Sequence, residues 1–206
     1  MTGGVLGVII AGGRSTRYGS PKPLVRLGGE RLVDRVATSL RAAADQVVAI
    51  ANDAPLAAAI GLPWRADELR DIGSLAGVHA GLRWAAELGY RGILAAAADL
   101  PLISPALLHR LRALGAEGWD VALPESTGPR GVEPLCAYYG LACIAAIERA
   151  VERGDARMIG FHDELRVYRL PLAAVRGFGE PERLFANLNT PADLALLERL
   201  IEREAE

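Results

Sequence analysis

Leu6-Gly7-Val8-Ile9-Ile10 runs without a polar residue into Ala11-Gly12-Gly13-Arg14-Ser15-Thr16-Arg17-Tyr18-Gly19-Ser20-Pro21-Lys22. A short apolar, β-branched run closed by glycines reads as a strand buried on both faces that ends in a polar loop. Beyond the loop, Leu32, Val33, Val36, Ala37 and Leu40 recur at helical spacing, so a helix returns the chain to the sheet. Residues 47–51, Val-Val-Ala-Ile-Ala, read as a second strand. Strand, helix and strand make a βαβ unit, whose crossover is right-handed if the strands are parallel.

The same alternation continues. A short helix is expected over residues 56–60, an extended piece over 62–65 and a helix over 75–88 with Ser74 as its N-cap. Residues 92–98 lie between Gly89 and Pro101, too confined for a good helix, and read as a central strand of small side chains. Ser104 and Pro105 open a helix that runs to residue 114, and residues 121–124 form another strand. The Gly-, Ser-, Thr- and Pro-rich residues 125–131 read as a long mobile loop. Later elements are a strand over 135–139, helices over 143–153 and 158–165, a strand over 166–170, and a last helix at Thr190-Pro191-Ala192-Asp193. There Thr190 is the cap and Asp193 meets the exposed amides. Strands alternating with helices over the first 124 residues predict an α/β fold: one mostly parallel sheet with helices on both faces, in three layers.

Composition bounds the function. The 206 residues suit one α/β domain covering 1–206. Lys plus Arg number 23 against 25 Asp plus Glu, so no broad positive field exists to hold a nucleic acid, and any grip on phosphate is local. Two cysteines, Cys136 and Cys143, suggest neither a disulfide framework nor a four-ligand zinc site. No secretory leader and no membrane-spanning run is legible, which predicts a cytoplasmic location and no membrane partner.

Ligands of open α/β sheets bind at the carboxyl ends of the strands, and polar clusters fall there. In the first loop, glycines let amides approach phosphate oxygens, Arg14 and Arg17 can fork onto them, and Lys22 can neutralise the group being transferred. The spacing is neither that of a Walker loop nor that of the dinucleotide fingerprint. Asp99, at the tip of a buried strand, is placed for Mg²⁺, which takes one or two carboxylates plus phosphate oxygens; a solvated turn is its alternative reading. Asn187 and Asn189 precede the last helix and can face a ligand. Asp67, Asp71 and Gly73 to Gly77 lead into a helix whose amino end can orient ligand groups. His79, His109 and His162 are too scattered for a helical metal pair and are read as structural or surface residues.

The loop ending in Lys22, Gly73-Ser74-Leu75-Ala76-Gly77, Asp99-Leu100-Pro101, Glu133-Pro134-Leu135-Cys136-Ala137-Tyr138-Tyr139 and Asn187-Leu188-Asn189-Thr190-Pro191-Ala192-Asp193-Leu194 resemble, in order and approximate spacing, the molybdenum cofactor guanylyltransferases. The resemblance implies a Rossmann-like nucleotidyltransferase fold. It also implies Mg²⁺-dependent transfer of GMP from GTP to the terminal phosphate of Mo-molybdopterin, with molybdoenzymes or their chaperones as recipients of the product.

By position, Ile10, Ala11 and Gly12, with Gly13 and Arg14, begin the nucleotide loop. Lys22 binds phosphates, Asp67 and Gly77 help hold the nucleotide, and Asp99 binds Mg²⁺. Lys22, Asp99 and Arg17 are the implied catalytic set, with Asn187 and Asn189 near the metal or the pterin. The sequence departs from the family in two places: Pro21 stands where an Asp is usual before the Lys, and Ile50 stands where an Asn can occur, leaving Asn52 as the nearest substitute. Rival readings are a related enzyme that uses CTP or activates a sugar phosphate or other small phosphorylated acceptor, and a non-catalytic nucleotide-binding adaptor.

Overall fold

The computed structural model describes residues 3–12, 21–69 and 72–202. Its centre is a seven-stranded sheet in the order β5-β4-β1-β6-β8-β7-β9. The strands are β1 (Leu6–Ile10), β4 (Gln46–Ile50), β5 (Trp64–Arg65), β6 (Gly92–Ala97), β7 (Val121–Pro124), β8 (Cys136–Gly140) and β9 (Val167–Leu170). The remaining two, β2 (Arg26–Leu27) and β3 (Glu30–Arg31), form a separate antiparallel hairpin that the sequence pattern did not reveal. In the main sheet β1 pairs in parallel with β4 and β6, whereas β8 runs antiparallel to both of its neighbours, β6 and β7. The start of β8 therefore lies at the carboxyl edge of all the other strands.

Both faces of the sheet are covered. Ile9 joins the apolar cluster built with α1 (Leu32–Ala43) and α4 (Pro105–Ala116). Val8 and Ile10, pointing the other way as the period of two requires, join the cluster built with α3 (Ser74–Glu87) and α5 (Cys143–Glu152). A Cβ on Gly77 would stand 3.0 Å from Ile10, and one on Gly81 would stand 2.9 Å from Val8. Those two glycines bring α3 close to β1. The expected three-layer, mostly parallel α/β architecture is what the chain adopts.

The remaining α-helices are α2 (Ala54–Ile60), capped by Asp53, α6 (Leu172–Val175), α7 (Pro181–Leu184) and α8 (Pro191–Glu202). Leu27 of β2, Leu32, Leu102, Leu188 and Leu197 of α8 form a third buried cluster, which docks the C-terminal segment beside the end of β6. Among the described residues no helix is long and apolar enough to cross a membrane.

Two local expectations are corrected. Ser74 is the first helical residue of α3, and the cap position belongs to Gly73, where no side chain bonds the first turn; a cap needs non-helical backbone, which Ser74 lacks. Residues 158–165 form turns and one 3-10 turn, His162–Glu164, because the apolar side chains there are drawn individually onto the α5 side of the sheet. Residues 126–131 are the expected loop, closed at its base into a hairpin by a bridge between Glu125 and Val132 and by the Ser126 N–H donating to the Gly131 carbonyl at 3.0 Å.

Candidate active site

The C-terminal segment returns to the end of β6 through one buried residue. Leu188 is fully buried and its N–H donates to the Asp99 carbonyl at 3.3 Å, while Asn187 and Asn189 on either side are exposed. The start of α8 holds this triplet in place. Asp193 accepts the N–H groups of Asn189 at 2.8 Å and Thr190 at 2.7 Å, and Thr190 Oγ1 accepts the Asp193 N–H at 3.3 Å. The Asn189 N–H foremost, then that of Thr190 and the charge of Lys22, hold the Asp193 carboxyl below the usual range against the opposing cost of burial.

Lys22 opens a 3-10 turn, Lys22–Leu24, and reaches the same place from the other end of the chain. Its Nζ donates to Asp99 Oδ2 at 2.6 Å and to Asn189 Oδ1 at 2.7 Å, and Asn189 Nδ2 donates to Asn187 Oδ1 at 2.7 Å. Four residues singled out in the sequence thus form one hydrogen-bonded chain. The Lys22 and Asp99 side chains are 15% and 29% exposed, so both are open to a ligand.

A second pair lies further along the sheet. Asn52 follows β4 and Asp67 follows β5; Asn52 Nδ2 donates to Asp67 Oδ2 at 2.8 Å, and the Asp67 N–H donates to Asn52 Oδ1 at 3.0 Å. Between the two groups, the Ile10 carbonyl accepts the Ala98 N–H and the Ala11 N–H donates to the Ile50 carbonyl. The backbone groups that residues 10 and 11 use there belong to the sheet, and Gly12 beyond them is exposed. Gly77 is buried in the first turns of α3 against Ile10. Gly13, Arg14, Arg17 and Asp71 lie outside the described residues.

Glu133, quoted for the resemblance but given no role from the sequence, leads into β8 at the same edge. Its Oε1 accepts the Leu135 N–H at 3.1 Å. Burial pushes its carboxyl pKa up, aided by the charge of Asp99 and opposed by the Leu135 N–H and Arg130. Only the reversed direction of β8 brings this carboxylate to the carboxyl edge, so nothing in the local sequence marks it.

The donors near Asp99 are carboxylate and amide oxygens, the hard ligands that Mg²⁺ prefers. Lys22 engages one oxygen of Asp99, which leaves the other as a ligand, and one carboxylate plus phosphate oxygens suffices for this ion. Among the described residues no group of three or more His, Cys, Asp or Glu forms a metal cage of its own.

A lysine ammonium, a carboxylate and paired amides thus meet at the carboxyl edge of a three-layer sheet, groups suited to holding phosphates in a nucleotidyltransferase. The chain belongs to the MobA-like NTP transferase domain family, whose model matches residues 7–166. It is 36% identical to the molybdenum cofactor guanylyltransferase of Cereibacter sphaeroides, covering 98% of this chain and 99% of that one. It is also 35% identical to the probable molybdenum cofactor guanylyltransferase of Pelotomaculum thermopropionicum, covering 91% and 89%. Among solved structures it resembles molybdopterin-guanine dinucleotide biosynthesis protein A of Archaeoglobus fulgidus, with 27% identity, a TM-score of 0.79 and coverage of 97% and 100%.

Proposed function

We propose that this chain transfers GMP from GTP to the terminal phosphate of Mo-molybdopterin, releasing pyrophosphate. The observation that carries the reading is the convergence of Lys22, Asp99 and Asn189 through bonds of 2.6 and 2.7 Å, in a member of a family whose curated relatives are guanylyltransferases. Nucleotidyl transfer to a phosphate needs no strong base, because a phosphate monoester is already largely ionised at pH 7. The barrier is repulsion and alignment of anions.

Lys22 and Asp99 are each other's counter-ion, and a triphosphate competes for Lys22 by offering stronger charge. In the transfer, an oxygen of the acceptor phosphate forms the new bond to the α-phosphorus, and the bond from that phosphorus to the bridging oxygen of the β-phosphate breaks. Lys22 stabilises charge on the departing pyrophosphate, and Arg17 is proposed to assist it. Asp99, with phosphate oxygens, would hold Mg²⁺, which supplies charge neutralisation at the reacting phosphates. Asn189 orients Lys22, and Asn187 orients Asn189. Asn52 and Asp67 form the nucleoside end of the site, with Ile10, Ala11 and Gly12 beneath and Gly77 letting α3 approach; Gly13 and Arg14 are proposed to extend the phosphate grip.

The test is incubation of the protein and Mg²⁺ with each of the four nucleoside triphosphates, with and without Mo-molybdopterin, followed by pyrophosphate release and product mass. GTP with the pterin gives pyrophosphate and the guanine dinucleotide. Preference for CTP moves the reading to cytidylyl transfer, and no pyrophosphate with any pair removes it.

A further inference from the structure

The carboxyl edge of the sheet has an order. Asp67 follows β5, Asn52 follows β4, Ile10 ends β1, Asp99 follows β6 and Glu133 leads into β8. Neighbouring strands lie about 4.8 Å apart, so four spacings put the β5 and β8 ends on the order of 19 Å from each other. With the nucleoside at Asn52 and Asp67 and its phosphates at Lys22 and Asp99, the second substrate must approach from the β8 side.

A cavity of about 330 Å³ lies there, between the hairpin over residues 125–132 and α7, and its lining includes Ser126, Thr127, Arg130, Glu133, Phe185 and Asn187. Asn187 belongs both to this lining and to the hydrogen-bonded chain that ends on Lys22. Asn187 thus joins the cavity wall to the chain of side chains that ends on Lys22. Its volume is within the range of pockets that enclose small organic ligands. Glu133 presents a half-buried carboxylate whose Oε1 holds the Leu135 N–H, and whose Oε2 has no hydrogen-bond partner among the described residues. A carboxylate has about four acceptor positions, so most of this one's capacity is available to a ligand that donates.

Resting on the function proposed above, we infer that this cavity receives the heterocyclic end of the acceptor and that Glu133 is the residue that recognises it. The 2-amino-4-oxopyrimidine ring of a pterin carries an amino N–H and a ring N–H side by side, and such a pair matches the two oxygens of a carboxylate. The ring of Phe185 offers an apolar wall, and the hydroxyls of Ser126 and Thr127 offer donors to the ring's acceptor atoms. Guanine carries the same donor edge. The order of residues along the sheet assigns Glu133 to the acceptor and Asn52 with Asp67 to the nucleotide, because Asp99 stands between them.

The experiment measures the KM of each substrate for the full chain and for Glu133→Gln, which keeps the shape and places an amide where the carboxylate stood. The expected result is an acceptor KM raised about ten- to a hundredfold, with the KM for GTP unchanged. An acceptor KM that does not move overturns the inference, and a rise for GTP instead shows that Glu133 reads guanine and equally overturns it. Should Glu133→Gln fail to fold, Thr127→Trp, at an exposed position, fills the cavity mouth and must raise the acceptor KM alone. Absence of transfer by the unsubstituted protein refutes the proposed function itself; transfer with an unaltered acceptor KM refutes only the pocket.

Discussion

The two ends of the carboxyl edge are assembled by different forces. Asn52 and Asp67 are 15 positions apart and follow adjacent parallel strands, whose ladder pairs Ala49 with Trp64 and Ile50 with Arg65. Lys22, Asp99 and Asn189 are separated by 77 and 167 positions, and no strand ladder joins Asn189 to the sheet. What brings it there is side-chain burial: Leu27, Leu32, Leu102, Leu188 and Leu197 pack together, and Asp193 secures the backbone of Asn189 and Thr190. The proposed nucleoside end stands on strand pairing, and the proposed reaction centre needs the apolar docking of the C-terminal segment to bring Asn189 to Lys22 and Asp99, so mutation can separate them.

The largest effect should come from the reaction centre itself. Lys22→Ala and Asp99→Ala are each expected to lower kcat about 100- to 1,000-fold, read as pyrophosphate release. Both variants are expected to stay folded, as circular dichroism would check, since Lys22 keeps Asn189 as a partner and Asp99 reaches solvent; near-normal turnover in both would discard the proposed roles.

Next in size is Leu188→Ala, which leaves a cavity in the docking cluster and should cost about 2–5 kcal/mol by urea unfolding. Under conditions where the variant is folded, kcat should fall while GTP affinity, read by titration, holds. Equal loss of both would show that the two ends are not independent.

A pH experiment sharpens the contrast by acting outside both ends. His162 is 6% exposed, neither ring nitrogen has a hydrogen-bond partner among the described residues, and burial, with a smaller push from Arg169, lowers its pKa to about 4. The unfolded chain takes up this proton as pH falls through about 6.5, and the folded chain not until about 4, so stability declines across that window. The loss is on the order of 3 kcal/mol and ends near the folded value. The lowered carboxyl of Asp193 acts below it, its contribution fading as pH falls under about 3.9. His162→Phe should flatten urea midpoints between about pH 6.5 and 4 with turnover at neutral pH retained; an unchanged slope would clear His162 of the effect.

The smallest effect belongs to the nucleoside end. Asn52→Ala removes two hydrogen bonds to Asp67 and should raise the KM for GTP about fivefold, the size of one neutral hydrogen bond, with kcat unchanged. A kcat effect larger than the KM effect would mean the two ends communicate.

The elements whose evidence is periodicity were legible before any coordinates. The strand at Leu6–Ile10, the helices at Leu32–Ala43 and Pro105–Ala116, and the Thr190–Asp193 cap follow from side-chain alternation and capping chemistry. Lys22, Asp99, Asn187 and Asn189 were legible as chemistry, since a lysine after a glycine-rich loop, an aspartate at a strand tip and asparagines before a capped helix each have a physical use. The β2–β3 hairpin was not, because two-residue strands carry no period. Nor was the closed form of residues 125–132, since glycine and proline permit a hairpin and an open loop alike.

The amino-acid sequence alone determined the layered α/β plan and the residue types available for phosphate chemistry, because both depend on neighbours close in the chain. Only the tertiary structure decided that Asn189 reaches Lys22, that Asn52 meets Asp67, and that the reversal of β8 carries Glu133 to the working edge of the sheet. Those contacts are set by strand order and by the burial of leucines far apart in sequence, and no local pattern encodes either.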